Sequence, residues 1–519
     1  MQLPTQQELI RYSRDRGILV KASLTIVGIS IGLAFLLSLI SPKGDSRLYK
    51  MADSASASAG KNELISLIRF GLPLELESRS GTCVHLMEDA SENPFAAFIE
   101  TALAKEPDEL IETWWKGLNG GGEPEAIARL EAAAETALYR NEFLGDLKMK
   151  AGDDEGALRH YLAEAALSDD AHYARRSALF LARIGEDRTL VRDLLEDPAM
   201  RRAFDPSDLL RYQAYAKDYA GLAGSITVAE GQMLGTVYVI PALFTAAIWF
   251  FILLAFRERT RKNVLKAFAA FSLGIVSAGL TLYAASLQQY LLGQDFHPED
   301  PPLAQFSYFL SGVGLREETL KLLCFLPLAL MIRKKGTPIE ALVLAGIVGL
   351  GFAFQENLVY FQSGSGTFTA WLRLLTANAL HFSLTGVAGF YLWQMLHRRF
   401  RGWEEFLFSF IAVVFVHGLY NSLLSMPSLE SYAPLSPFLV AIIAYQYFDP
   451  VRHHMETAGQ HRRLSPLGIF VMGSVVLTCT ILVSAAMVEP FRFALGAFAS
   501  SVAAMIPLTF AFISRFRDL

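Results

Sequence analysis

The stretch Gly314-Leu-Arg-Glu-Glu-Thr-Leu-Lys321 lies inside a run, residues 305–332, that is otherwise apolar enough to cross a membrane. An ionised side chain at mid-bilayer costs at least about 3 kcal/mol, so Arg316, Glu317, Glu318 and Lys321 need partners on neighbouring helices. Later apolar runs supply them: Glu356 and Asn357 on one, His381 on the next, His417 and Asn421 on a third. Groups so expensive to bury in lipid must face one another, and acids and histidines on four neighbouring helices look like a hydrolytic site built inside the bilayer.

Apolar runs of spanning length recur along the chain, whose 519 residues are 52% apolar. Ten spans are expected, near 22–40, 234–256, 266–287, 305–332, 339–361, 369–396, 406–425, 435–447, 467–488 and 493–513. Residues 1–21 are polar and basic, and no small-residue cleavage site follows the first run, which therefore reads as an uncleaved signal anchor over 22–40. Basic tracts follow the second, fourth, sixth, eighth and tenth spans. Placing each tract in the cytoplasm gives a consistent alternation, with both termini inside and the segment between the first two spans outside.

That segment, residues 51–230, changes character to an Ala-, Leu- and Glu-rich soluble helical domain. Within it, 143–168 reads as a helix, a turn at Gly152-Asp153-Asp154 and a second helix with small Ala157 and large Tyr161, resembling one tetratricopeptide-type hairpin. Residues 171–185 can begin another unit, and a repeat array and an irregular bundle both stay open. Trp114 and Trp115 are expected in its core, and 118–125 as a loop. The fold class is thus all-α: a polytopic membrane bundle carrying an inserted extracytoplasmic helical domain. Its parts are 1–21, 22–40, 51–230, a core over 234–450 and a closing membrane hairpin over 465–519.

The net charge of −5 has its acids crowded into 85–200 and its bases beside apolar runs, which gives no support for nucleic-acid binding. Cys83, Cys324 and Cys479 are far apart, so neither a disulfide framework nor a cysteine-rich metal site is expected. His453, His454 and His461 read as a charged cytoplasmic flank. Lys321 stands four residues from Glu317 and three from Glu318, so its ammonium lies one helical turn from both carboxylates and can neutralise one of them. Counting about 1.5 Å per residue sets the four polar levels roughly 9 to 18 Å below the outer surface, so they can meet in the outer half of the membrane.

Taken together, Glu317-Glu318-x-x-Lys321, Gly351-Phe352-x-x-x-Glu356-Asn357-x-x-Tyr360-Phe361, His381 followed by Thr385-Gly386 and Gly389, and His417-x-x-Tyr420-Asn421 resemble the ordered motifs of the PrsW family of intramembrane proteases. They are more distantly similar to those of the CAAX-processing enzymes. The resemblance covers about 260–450. It implies cleavage of membrane-anchored proteins, such as anti-sigma factors, near their extracytoplasmic side, in a bacterial inner membrane. It also implies a site built from Glu317, Glu318, Glu356, His381, His417 and Asn421, with Lys321, Asn357 and Arg373 in support.

In that scheme one acid activates water, the histidines orient it or stabilise the oxyanion, and Asn357 and Asn421 donate to the developing charge. By analogy with the CAAX enzymes the first acid, Glu317, is the preferred base and Glu318 engages Lys321, although the lysine stands one position earlier than the basic residue there and can pair with either acid. No cofactor is favoured. The alternative is Zn²⁺ on His381, His417 and Glu356, since two histidines and a carboxylate with an open position form a catalytic zinc pattern. The expected partners are a membrane-anchored protein substrate, the lipid bilayer, and a protein that meets the 51–230 domain.

Blander readings compete. The Glu–Glu–Lys cluster alone can be a buried ion pair locking two helices, and each histidine alone a packing hydrogen-bond donor. Arg373 is near enough to the outer face to snorkel, and Arg316 reads as an ion-pair partner. A proton-relaying transporter or channel uses the same residue types, and a dead scaffold would keep the helices without the chemistry.

Overall fold

The computed structural model describes residues 6–40, 61–70, 96–105, 107–119, 123–236, 238–257, 260–362, 368–457, 464–487 and 491–516. Cys83, the 363–366 loop and His461 lie outside them, while Cys324 and Cys479 are free and buried. Every regular element is a helix, with no strand among the described residues. The chain divides into two compact units: one of Met1–Gly44, Glu230–Gln289 and Gly293–Leu519, the other of Asp45–Ala229 with Tyr290–Leu292.

In the larger unit, five described helices are long and apolar enough to cross a membrane: Arg16–Leu39, Arg261–Leu292, Pro338–Phe361, Trp403–Ser425 and Pro466–Ala486. A sixth follows if Tyr219–Leu234 and Val239–Ala255 are one broken span. The expectation of ten meets two physical interruptions. The 305–332 run changes winding at a π-helix, Tyr308–Leu315, before the charged helix Arg316–Ile332. The 369–396 run breaks at Thr376 into Phe368–Leu375 and Ala377–His397.

The centre of this unit is the helix pair Pro338–Gln362 and Ala377–His397, nearly every side chain of which is buried at its middle. Their backbones touch because the facing positions are small, as in close membrane helix pairs. A Cβ on Gly349 would sit 2.3 Å from the His381 carbonyl oxygen, so any side chain there would push His381 away from its neighbours. Trp249 anchors a second layer, donating its indole N–H to the Leu374 carbonyl at 2.6 Å and packing on Phe382 and Phe512.

The smaller unit is a run of short helices, several opened by an aspartate: Asp108, Asp153 and Asp187 each accept from backbone N–H groups of the first turn. Over the expected hairpin two helices, Arg140–Lys150 and Asp154–Leu167, pack together, with His172–Ile184 packed next. The interlock differs in one respect from the sequence reading: Tyr161 lies against Gly145 of the preceding helix, whose missing side chain makes room for the ring. Trp114 and Trp115 are buried, Trp114 stacking on Phe143 at 4.3 Å. Of the expected 118–125 loop, Leu118 closes one helix and residues 123–125 open the next, while 120–122 lie outside the described residues.

Two carboxylates and one guanidinium are enclosed here. Arg69 donates to Glu142 at 2.7 Å, lies 3.6 Å from Asp146 and covers the Tyr173 ring, while the Tyr161 and Tyr173 hydroxyls donate to Asp146 at 2.6 and 2.9 Å. Burial pushes the Asp146 carboxyl up to about 6, against the pull of Arg69 and the two hydroxyls and with Glu142 adding to the rise. The folded unit thus keeps a proton that the unfolded chain releases near pH 4. The sign follows: this contribution, up to about 3 kcal/mol, is fully present below about pH 4 and is lost as pH rises through about 6. Amide-exchange protection of residues 140–184 in the intact protein, corrected for intrinsic rates, is expected to weaken between about pH 4 and 6, and Asp146→Asn to abolish the difference. Equal protection at both values in the wild type would exclude it.

Candidate active site

The site starts from a helix made irregular. The π-helix Tyr308–Leu315 ends immediately before Glu317, a placement typical of π-bulges near functional groups. A Cβ on Gly314 would stand 2.9 Å from the Val414 carbonyl oxygen, so glycine lets this segment press onto Trp403–Ser425 and sets Glu317 and Glu318 opposite His417.

Lys321 is at the centre, fully buried. Its Nζ lies 3.2 Å from Glu317 Oε2, 2.8 Å from Glu318 Oε1 and 2.9 Å from His381 Nδ1, and 3.8 Å from the centroid of the Phe352 ring. Glu318 is committed on both oxygens: Oε1 also meets His417 Nδ1 at 2.8 Å, and Oε2 accepts from Thr385 Oγ1 at 3.1 Å. Glu317 is held more loosely, with Lys321 on one side and His417 Nε2 at 3.6 Å.

These contacts fix the tautomers. An ammonium can only donate, so His381 Nδ1 accepts from Lys321 and its Nε2–H donates to Glu356 Oε2 at 2.9 Å. The Glu318 carboxylate can only accept, so His417 donates through Nδ1, which in the neutral imidazole leaves Nε2 as an acceptor turned toward Glu317. Two acceptors facing each other at 3.6 Å call for a donor shared between them.

A second shell of charge closes the site. Arg373 donates to Glu356 Oε2 at 2.5 Å and to Asn357 Oδ1, and stacks 3.9 Å over the Tyr360 ring. It is paired inside the cluster, and the snorkelling alternative does not apply. Three carboxylates thus stand against two permanent cations, leaving one negative charge for a proton or a cation. Among the expected residues, Asn357 is spent, donating to Asn378 at 2.8 Å while accepting from Arg373. Asn421 is half-buried with no hydrogen bond among the described residues, one turn beyond His417. Arg316 donates to Gln288 at 2.6 Å in place of the expected ion pair. Sequence reasoning missed Phe352 as the face for Lys321, Thr385 as a donor to Glu318, and Asn378. Phe352 lies four residues before Glu356 and Thr385 four after His381, and that same-face spacing was a usable signal.

The metal question turns on these contacts. Ligand atoms of Glu317, His381 and His417 lie within 4.8 Å of one another, so the acid of the cluster is Glu317 where the sequence reading had Glu356. The donor types suit zinc, and in this structure Lys321 already engages two of the three groups. His381 has both ring nitrogens engaged, and the Lys321 ammonium already occupies the position between Glu317, Glu318 and His381 that a cation would take. Lys321 therefore competes with a divalent ion for Glu317 and His381, two of the three groups.

Residues 242–447, which contain all of these side chains, match the family described as PrsW family intramembrane metalloprotease. Over 91 residues the chain is 34% identical to Protease PrsW of Geobacillus kaustophilus (strain HTA426), a stretch that makes up 17% of this chain and 38% of that protein. The chain therefore spans well under half the length of the curated relative it matches. No solved structure matches. Through residues 242–447 of its membrane core, this chain is similar to the PrsW family.

Proposed function

We propose that the protein is an intramembrane protease that hydrolyses a peptide bond of a membrane-anchored protein by metal-free, glutamate-assisted attack of water. The observation that carries this reading is the pair of facing acceptors, Glu317 Oε2 and His417 Nε2, at 3.6 Å. A water between them donates one proton to each and presents its oxygen to a carbonyl carbon. As that oxygen attacks, Glu317 takes the proton and later returns it to the leaving amine. The Asn421 amide, one turn from His417, donates to the oxyanion. Glu318, Thr385 and Lys321 hold His417 and the charge balance. His381, Glu356, Arg373 and Asn357 act as positioning residues behind them.

The direct test is cleavage of a single-span reporter by the purified protein in liposomes, with proton flux followed in the same vesicles. Flux has a specific observation behind it, because the contacts run unbroken from Arg373 through Glu356, His381, Lys321 and Glu318 to His417. Proton flux without cleavage would establish the transporter reading and end the protease one.

In our reading the protein is a ten-span protein of a bacterial inner membrane with both termini in the cytoplasm. The 51–230 domain then lies outside and meets a partner or substrate through tetratricopeptide-like helices. A reporter fused near Ala151 is expected to behave as extracytoplasmic, and fusions near Lys334 or Arg399 as cytoplasmic. The reverse pattern would remove the argument that the site opens outward.

A further inference from the structure

The Arg316 guanidinium stands one residue before Glu317, inside the run read as a membrane span. It makes one hydrogen bond, to the neutral amide of Gln288 at 2.6 Å, and no ion pair among the described residues. A cation at mid-bilayer costs at least about 3 kcal/mol unless it pairs or meets water. We infer that Arg316, Gln288 and Tyr308 line a polar passage through which water reaches Glu317 from the loop over residues 293–301. The inference rests on the protease reading and adds to it the route of the attacking water.

The passage can be followed from the base outward. Arg316 Nη1 donates to Gln288 Oε1, in the last turns of Arg261–Leu292. Gln288 Nε2 and the Tyr308 ring then meet at Gly312, where a Cβ would stand 2.8 Å from the amide nitrogen and 3.2 Å from the ring. Glycine in the π-helix therefore leaves room for both side chains beside Arg316. Tyr308 is within electrostatic reach of Arg316, Glu317 and Asp295. Asp295 belongs to the loop, where it accepts from Gln289 at 2.6 Å, and Phe296 beside it packs on Phe309 at 5.0 Å and on Tyr308 at 6.1 Å. Polar side chains thus succeed one another from loop to base. Asp295, Tyr308, Gln288 and Arg316 are all half-buried, so each keeps surface of its own. In the orientation proposed above, the loop is extracytoplasmic.

Water suits these groups better than the other occupants of such a level. Lipid tails neither accept from a guanidinium nor donate to an amide oxygen. The nearby carboxylates are engaged elsewhere, Glu317 with Lys321 and Asp295 with Gln289. Intramembrane charges so placed face water-filled space. Water held by Arg316 arrives one residue from Glu317, the more loosely held acid of the pair, where the attacking molecule is needed.

The test uses the full-length protein in liposomes, with Cys83, Cys324 and Cys479 replaced by serine and single cysteines introduced at 288, 308 or 315. Leu315 is the comparison, an exposed apolar residue within about 1.5 Å of the Arg316 level. A membrane-impermeant, charged thiol reagent is expected to modify Gln288→Cys and Tyr308→Cys at least about tenfold faster than Leu315→Cys. Equal rates at the three positions would overturn the inference. A second arm compares Arg316→Leu with Arg316→Lys in the otherwise native chain. Loss of the cation is expected to lower kcat about tenfold or more with KM unchanged, and lysine, which keeps a hydrated charge, to restore most of it. Wild-type kcat in Arg316→Leu, or a loss that lysine does not relieve, would overturn the inference too. The two readings fail separately: fast modification at 288 and 308 with no cleavage by wild type leaves the passage standing and removes the protease, whereas cleavage with 288 and 308 as slow as 315 does the opposite.

Discussion

Glu317→Gln is expected to lower cleavage of a co-reconstituted single-span substrate by about 100-fold or more while leaving substrate capture intact, because a general base contributes only in the transition state. The glutamine keeps the size of the side chain and one acceptor oxygen, so it still receives a bond from Lys321, 3.2 Å away in the wild type, but it cannot take a proton from water. The substitution also removes one of three carboxylates facing two cations, so the cluster becomes neutral and folding is spared. Capture is read by co-purification and turnover by product formation. Near-normal turnover would sink the base assignment. His417→Ala is expected to match it, since it deletes the second acceptor for the water. A strong zinc chelator is expected to leave wild-type turnover unchanged; its abolition, followed by recovery on adding zinc, would overturn the metal-free mechanism and imply that Lys321 moves aside.

How far the sequence foretold this arrangement depended on whether a contact obeyed helical spacing. Glu317, Glu318 and Lys321 share a turn, and their pairing was legible from their numbers alone. Four polar groups on consecutive apolar runs had to converge, because lipid offers them no partner. Which atom met which was beyond the sequence. That Glu318 reaches His417 and Thr385, leaving Glu317 the looser acid, depends on how closely Gly314 and Gly349 allow the backbones to approach. Asn357 looked like an oxyanion donor by its place beside Glu356, yet Arg373 and Asn378 consume it. Hydropathy, on which the span count rests, registers composition and misses the π-helix at Tyr308–Leu315 and the break at Thr376, both beside residues of the site.

Lys321→Met is expected to produce the largest loss of stability in the membrane unit, about 3–5 kcal/mol, because removing one partner of a buried ion pair leaves an uncompensated charge. Methionine nearly matches the lysine stem in length and can still pack on Phe352, so lost packing is not the cause. What remains is Glu318, fully buried, with only neutral donors from His417 and Thr385. The remedy should be specific. In Lys321→Met with Glu318→Gln the amide oxygen accepts from His417 Nδ1–H and the amide nitrogen donates to the Thr385 hydroxyl, so the charge at position 318 disappears and that side chain keeps its partners, while Glu317 and His381 Nδ1 still lack Lys321. Thermal unfolding in detergent should therefore show a large drop for Lys321→Met and recovery of most of it in the double variant. Turnover should stay low in both, since neither restores the cation beside Glu317. A single variant as stable as wild type, or a double variant no better than the single, would mean that Lys321 does not neutralise Glu318 in the folded protein.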